Sequence, residues 1–233
     1  MENKQFSRSD KMTALVNADF TLLLTISRFD IPMGFGDKTI AEVCDTHNVD
    51  CNTFLAVVNF LSETTHDRAK TYEDIDLKSV TRYLKNAHKY FLEYKLPALR
   101  TKLLLMIDSQ VETAVFRDVF LKFFDEYFTE VKKHMDYENK TVFPYINNIM
   151  EGKRDKKYHI GIFEQRHDRI EQKLKELKNI LMKHYSLHAG NNLLTELLLD
   201  IFLCEKDLTL HCAVEDSLII PAMMFREAKI DTQ

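Results

Sequence analysis

His134-Met-Asp-Tyr-Glu138 and His211-Cys-Ala-Val-Glu215 share one spacing, and a proline follows each histidine by ten residues, at Pro144 and Pro221. A histidine and a glutamate four apart lie on one face of a helix, where both reach the same metal ion. The match extends outward from these two segments. His134 and His211 are 77 residues apart, and two further histidines, His88 and His167, are 79 apart. The order His, His-x3-Glu, His, His-x3-Glu therefore runs through four helical stretches. That is the pattern of a site for two metals rather than one.

The surrounding chain supplies the helices. Long amphipathic segments are expected over residues 77–107, 111–150, 156–185 and 191–228, with short breaks at 108–110, 151–155 and 186–190. Short breaks between long helices imply antiparallel neighbours, so the expected fold is all-α, an up-down-up-down four-helix bundle. Ligand spacing tests that topology, because two residues of a hairpin share a height only when the turn lies near their midpoint. His88 and His134 average to 111, His134 and His167 to 150.5, and His167 and His211 to 189. All three midpoints fall in or beside the breaks, which places the four histidines in one layer.

Ahead of the bundle, apolar positions from Asp10 to Phe29 recur at helical spacing and predict one helix. Ile31-Pro-Met-Gly-Phe-Gly36 breaks it, Asp37 or Thr39 caps a short helix ending near His47-Asn48, and Asp50 starts another. The chain thus divides into a small helical N-terminal domain (1–65), a polar linker (66–76) and the bundle (77–228).

Composition narrows the function classes. Hydrophobic content of 45% with 29% charge is that of a globular protein, and five glycines and four prolines favour helices over a turn-rich β fold. A net charge of −4 gives no reason to expect a nucleic-acid partner. The four cysteines form no CxxC pair and read as reduced thiols. The polar N-terminus leads to no signal-peptide core, and no consecutive apolar run approaches the ~20 residues of a membrane helix. A cytoplasmic location and no membrane partner are the expectation.

Any one of these histidines taken singly reads as structural or exposed; the co-planar set with two glutamates reads as a metal centre. The candidate ligands are His88, His134, Glu138, His167, His211 and Glu215. Two imidazoles per metal with two shared carboxylates neutralise much of the charge and leave open positions for water or a small ligand. Such sites in four-helix bundles typically hold iron or manganese, and the ligand types also accommodate zinc. Glu130, Glu164, Glu171 and Asp207 lie three or four residues from a ligand histidine, as extra ligands, supporting acceptors or a solvated helix edge. Glu164-Gln-Arg-His167 also matches the Glu-x-x-His element of ferritin-like oxidases, but its only second copy, Glu63-Thr-Thr-His66, is outside the bundle. The apolar stretch Leu193–Leu203 reads as core packing of the last helix.

The ordered set of six ligands resembles a hemerythrin-like domain, specifically that of the repair-of-iron-centres di-iron proteins, over residues from about 77 to 228. Oxygen-carrying hemerythrins usually have a second histidine four after the third-helix ligand, where this chain has Glu171. The stretch Phe29-Asp-Ile-Pro-Met-Gly-Phe-Gly-Asp-Lys-Thr39 resembles the short domain ahead of the bundle in the same family. The family's adjacent cysteine pair in this turn is replaced by Met33 and Gly34. The resemblance implies two iron ions and a role in repairing, or supplying iron to, iron–sulfur clusters damaged by nitric oxide or oxidative stress. The partners it implies are iron–sulfur proteins and a diatomic ligand, dioxygen or nitric oxide. The N-terminal unit is the expected docking or homodimer surface. Reversible gas binding or sensing, and reduction of nitric oxide or peroxide at the metals, are the alternatives the ligand set leaves open.

Overall fold

A computed structural model describes residues 5–62, 75–108, 114–153, 157–166, 171–184 and 192–231. Helices account for its regular structure; among the described residues there is no strand, only an isolated bridge between Lys11 and Thr39. The expected all-α class holds.

The N-terminal part contains α1 (Met12–Ala18), α2 (Leu22–Arg28), α3 (Ile40–Thr46) and α4 (Cys51–Ser62). One helix was expected over Asp10–Phe29, and two are found. Asp19 breaks it: its carboxylate accepts from the Thr21 N–H at 2.8 Å and the Thr21 hydroxyl at 2.7 Å. A short acidic side chain bonding to the backbone two residues on competes with the helix. Thr39 does cap α3, accepting from the Glu42 N–H at 3.2 Å, while Glu42 accepts from the Thr39 N–H at 2.7 Å. Asp50 caps α4 by accepting from the Thr53 N–H at 2.7 Å.

Four long runs follow. The first is α5 (Leu77–Tyr90), a π turn (Phe91–Lys95) and α6 (Leu96–Asp108). The second is α7 (Ala114–Tyr137), a π turn (Glu138–Val142) and α8 (Phe143–Met150). The third contains α9 (Ile160–Arg166) and α10 (Glu171–His184); the fourth is α11 (Asn192–Val214), a π turn (Glu215–Ile219) and α12 (Ile220–Asp231). These are the helices of the expected bundle. Most of the expected linker, 66–76, lies outside the described residues.

Backbone packing groups the chain into two compact units. The first comprises Met1–Ala87, Val142–Arg166 and Cys212–Gln233. Within it α12 packs on α8 and α9. The N-terminal helices pack on α5: Phe29 lies 5.1 Å from the Tyr83 ring and 5.2 Å from Phe54. Arg82 pairs with Asp30 at 2.7 Å, and Asn86 donates to the Arg28 carbonyl at 2.8 Å. Tyr83, Leu84 and Ala87, the turn ahead of His88, are almost fully buried.

The second unit comprises His88–Thr141 and His167–His211. Here α6 packs on α7, and α7 on α10. Arg100 donates to Asp125 at 2.6 Å, Lys173 pairs with Glu130, and Lys178 pairs with Glu205. Each pair is centred on or near the connection between its two helices, the register of antiparallel neighbours.

The fourth run, Asn192–Ile230, is more apolar than a count of consecutive residues suggested. By length and composition it could cross a membrane, since an 18-residue stretch of it has mean hydropathy 1.3, but 56% of that stretch is buried inside the protein. The Leu193–Leu203 stretch is also not all core. Leu197 and Ile201 are buried, while Leu199 is 59% and Phe202 46% exposed.

Candidate metal centre

The second and fourth runs present their paired ligands in the same way. His134 lies in the last turn of α7, and Glu138 opens the π turn after it; His211 lies in the last turn of α11, and Glu215 opens the next π turn. His88 occupies the last turn of α5, three residues before the first π turn. π turns inside long helices are uncommon and concentrate at functional sites.

The side chains converge. His88 Nε2 is 3.2 Å from His211 Nε2 and 3.0 Å from Glu138 Oε2. The other oxygen of Glu138, Oε1, is 2.8 Å from His134 Nε2. One carboxylate thus turns an oxygen to each of two imidazoles on different helices. His88, Glu138, His211 and Glu215 each offer a ligand atom, and these four atoms lie within 4.8 Å of one another.

Burial decides what such a group is for. His88, Glu138, His211 and Glu215 are between 0% and 1% exposed. Withdrawing two carboxylates from water costs several kcal/mol each unless cations or donors compensate. Neutral imidazole nitrogens aimed at the same spot cannot donate to both. A divalent or trivalent cation satisfies all four groups together, and an imidazole–carboxylate set without thiolate suits iron, manganese or zinc. The donor set fits a metal.

The supporting contacts are specific. His88 Nδ1 lies 3.2 Å from Asn139 Oδ1. A proton on Nδ1 donated to that amide oxygen leaves Nε2 as the ligand nitrogen, the usual way a second contact fixes a metal-binding tautomer. Phe91, at the position of the first π turn that Glu138 and Glu215 hold in the others, lies edge-on to His211 with centroids 5.8 Å apart. Sequence reading missed both Asn139 and Phe91. Asn139 follows Glu138 directly, a signal too slight to separate from a solvated amide.

Of the six expected ligands, the structure brings together His88, His134, Glu138, His211 and Glu215; His167 lies outside the described residues. Among the additional acids, Glu130 is exposed and paired with Lys173, and Glu164 is exposed. Both occupy a solvated helix edge. Asp207 is half-buried one turn before His211, and the Glu171 side chain lies outside the description. Burial pushes the Cys44 thiol well above the ordinary cysteine range, and the adjacent Cys51 pushes it further. Cys51 is raised by burial as well. Neither is poised as a thiolate.

A model of the hemerythrin HHE cation-binding domain matches residues 79–223, more than half of the 233-residue chain. All six expected ligands fall inside the match, and the N-terminal helices fall outside it. A search of curated proteins found no match.

Proposed function

The chain belongs to the hemerythrin HHE cation-binding family, and from that premise we propose that it is a non-haem di-iron protein that repairs, or supplies iron to, iron–sulfur clusters damaged by nitric oxide or oxidants. The observation that carries the dinuclear reading is Glu138, whose two oxygens face His88 and His134 separately. A carboxylate with one oxygen directed to each side is the form of a bridge between two metals. Two irons held there supply a redox-active pair with open positions for a small ligand.

The protein's own groups set the conditions for release. The His134 side chain is 9% exposed, against 2% for His88 and 0% for Glu138. Of these three described ligands, His134 is the one that meets water. All the ligands are imidazoles and carboxylates, which exchange iron more readily than thiolates and suit a donor of iron. The repair role itself is inferred from the resemblance to the repair-of-iron-centres proteins, and the protein works without their cysteine pair, since Met33 and Gly34 stand in that turn. Hemerythrin-like domains also bind small ligands such as dioxygen, and the same ligand set equally suits a gas-binding or sensing protein.

The discriminating experiment mixes the iron-loaded protein anaerobically with an apo iron–sulfur acceptor, and separately with dioxygen and nitric oxide. Iron transfer that restores the acceptor's cluster supports repair. A reversible spectral adduct without transfer favours sensing, and turnover of the gas favours a reductase.

A further inference from the structure

Three of the chain's four prolines hold one position relative to the π turns. Pro97, Pro144 and Pro221 are each the second residue of the α-helix that follows a π turn, in α6, α8 and α12. Pro97 and Pro144 are exposed and Pro221 is half-buried, so their side chains are not core packing. Their effect must come through the backbone.

Proline has no N–H, and its ring clashes with the carbonyl four residues earlier in an α-helix. Those carbonyls belong to Glu93, Lys140 and Ser217, each inside a π turn. Wider winding moves the carbonyl off the ring. The π bond is visible at two of the three sites: Leu96 N–H donates to the Phe91 carbonyl, and Ile220 N–H to that of Glu215, five residues back in each case.

The extra residue also shifts the buried face. Phe91 and Leu96, Glu138 and Phe143, and Glu215 and Ile220 are all buried and all five apart. In an uninterrupted α-helix a five-residue step turns about 140° off the starting face. Either the glutamate or the apolar seam beyond it would then point away from the core. The π turn lets both point inward.

Resting on the metal-centre reading above, we propose that Pro97, Pro144 and Pro221 are positioning residues of the site. Each forces the π turn that keeps a ligand-bearing helix in phase on both sides of the centre. Pro144 and Pro221 act on the first residue of the turn, Glu138 and Glu215, and Pro97 acts on Phe91 against His211. The prolines trade local helix stability for ligand geometry.

That trade gives a signature which a merely structural proline would not show. Pro144→Ala and Pro221→Ala restore an N–H and helix propensity, so the metal-free variants should unfold at the wild-type temperature or above it. They also admit the uninterrupted winding, so anaerobic Fe(II) should bind about tenfold more weakly in each. Titration with Fe(II) alone, followed by metal analysis, and thermal unfolding of the chelator-treated protein give the two readouts. Pro32→Ala, outside the long runs, is the control and should change neither. Iron affinity within twofold of wild type in both variants overturns the proposal, as does a parallel loss of iron binding and melting temperature. If the unaltered protein takes up no iron, the metal reading fails and this inference falls with it. If wild type loads and the variants load equally well, only the role of the prolines fails.

Discussion

The two His-x3-Glu segments have the same spacing, the same π turn and the same proline, yet their surroundings differ. His211 is buried, met edge-on by Phe91 and facing His88, whereas His134 is half-buried and touches the centre through Glu138. One histidine of the repeat is fully buried and the other is not. A repeated motif can thus place equivalent ligands while the packing around it buries one more deeply than the other.

The largest expected effect separates the two histidines in the metal-free protein. His211→Ala leaves a cavity beside Phe91 and should cost about 2–3 kcal/mol, in the range of buried large-to-small changes. His134→Ala, at the partly exposed edge, should cost no more than about 1 kcal/mol. Urea unfolding in the presence of chelator measures both, and equal losses would erase the distinction between the two histidines.

The residues that follow the two glutamates sharpen the same comparison. Asn139 accepts from His88 Nδ1, while its counterpart Asp216 is exposed. Asn139→Ala should weaken iron binding about tenfold, as loss of a ligand-orienting contact does, and Asp216→Ala should leave affinity near wild type. Competition against a calibrated chelator reads this out; equal weakening in the two variants would remove Asn139 from its orienting role.

The smallest effect concerns what ties the first and fourth runs together. Asp200 pairs with Lys95 at 2.7 Å and with Lys102. Burial raises its carboxyl, but the two ammonium groups more than offset this and hold it below its ordinary value of 3.8. A lowered carboxyl stabilises the fold above the ordinary value, and the contribution is lost as pH falls through the folded value. Asp200→Asn should therefore cost less than about 1 kcal/mol at pH 6. The gap from wild type should close as the pH drops below 3.8. A gap that widens in acid would contradict the assignment.

Much of this was legible in the sequence where one residue type carries the physics alone. Thr39 and Asp50 announce helix starts because their side chains cap whatever follows, and His-x3-Glu announces a shared face because helical spacing is fixed. The break at Asp19 was not legible, since the apolar period continues through it and only a carboxylate bonding two residues ahead stops the helix. The exposure of Leu199 and Phe202 was hidden for the opposite reason: the apolar residues ring α11, so the pattern names no face. Pro144 and Pro221 were visible as a repeat, but Pro97 was not, because Phe91 stands six residues before it where the others have a glutamate, and it lies nine residues after His88 instead of ten. A π turn is one extra residue, and the period of a short segment does not reveal it without the seam on both sides.

Iron stoichiometry tests the central claim most directly. The purified chain is loaded anaerobically with Fe(II), desalted and analysed for iron, alongside Glu138→Ala and Glu215→Ala, with circular dichroism to verify that all three are folded. A bridged centre predicts about two irons per wild-type chain and loss of at least one in each variant, because each removes a carboxylate shared by the pair. Folded variants that keep the full wild-type iron content would contradict the dinuclear centre.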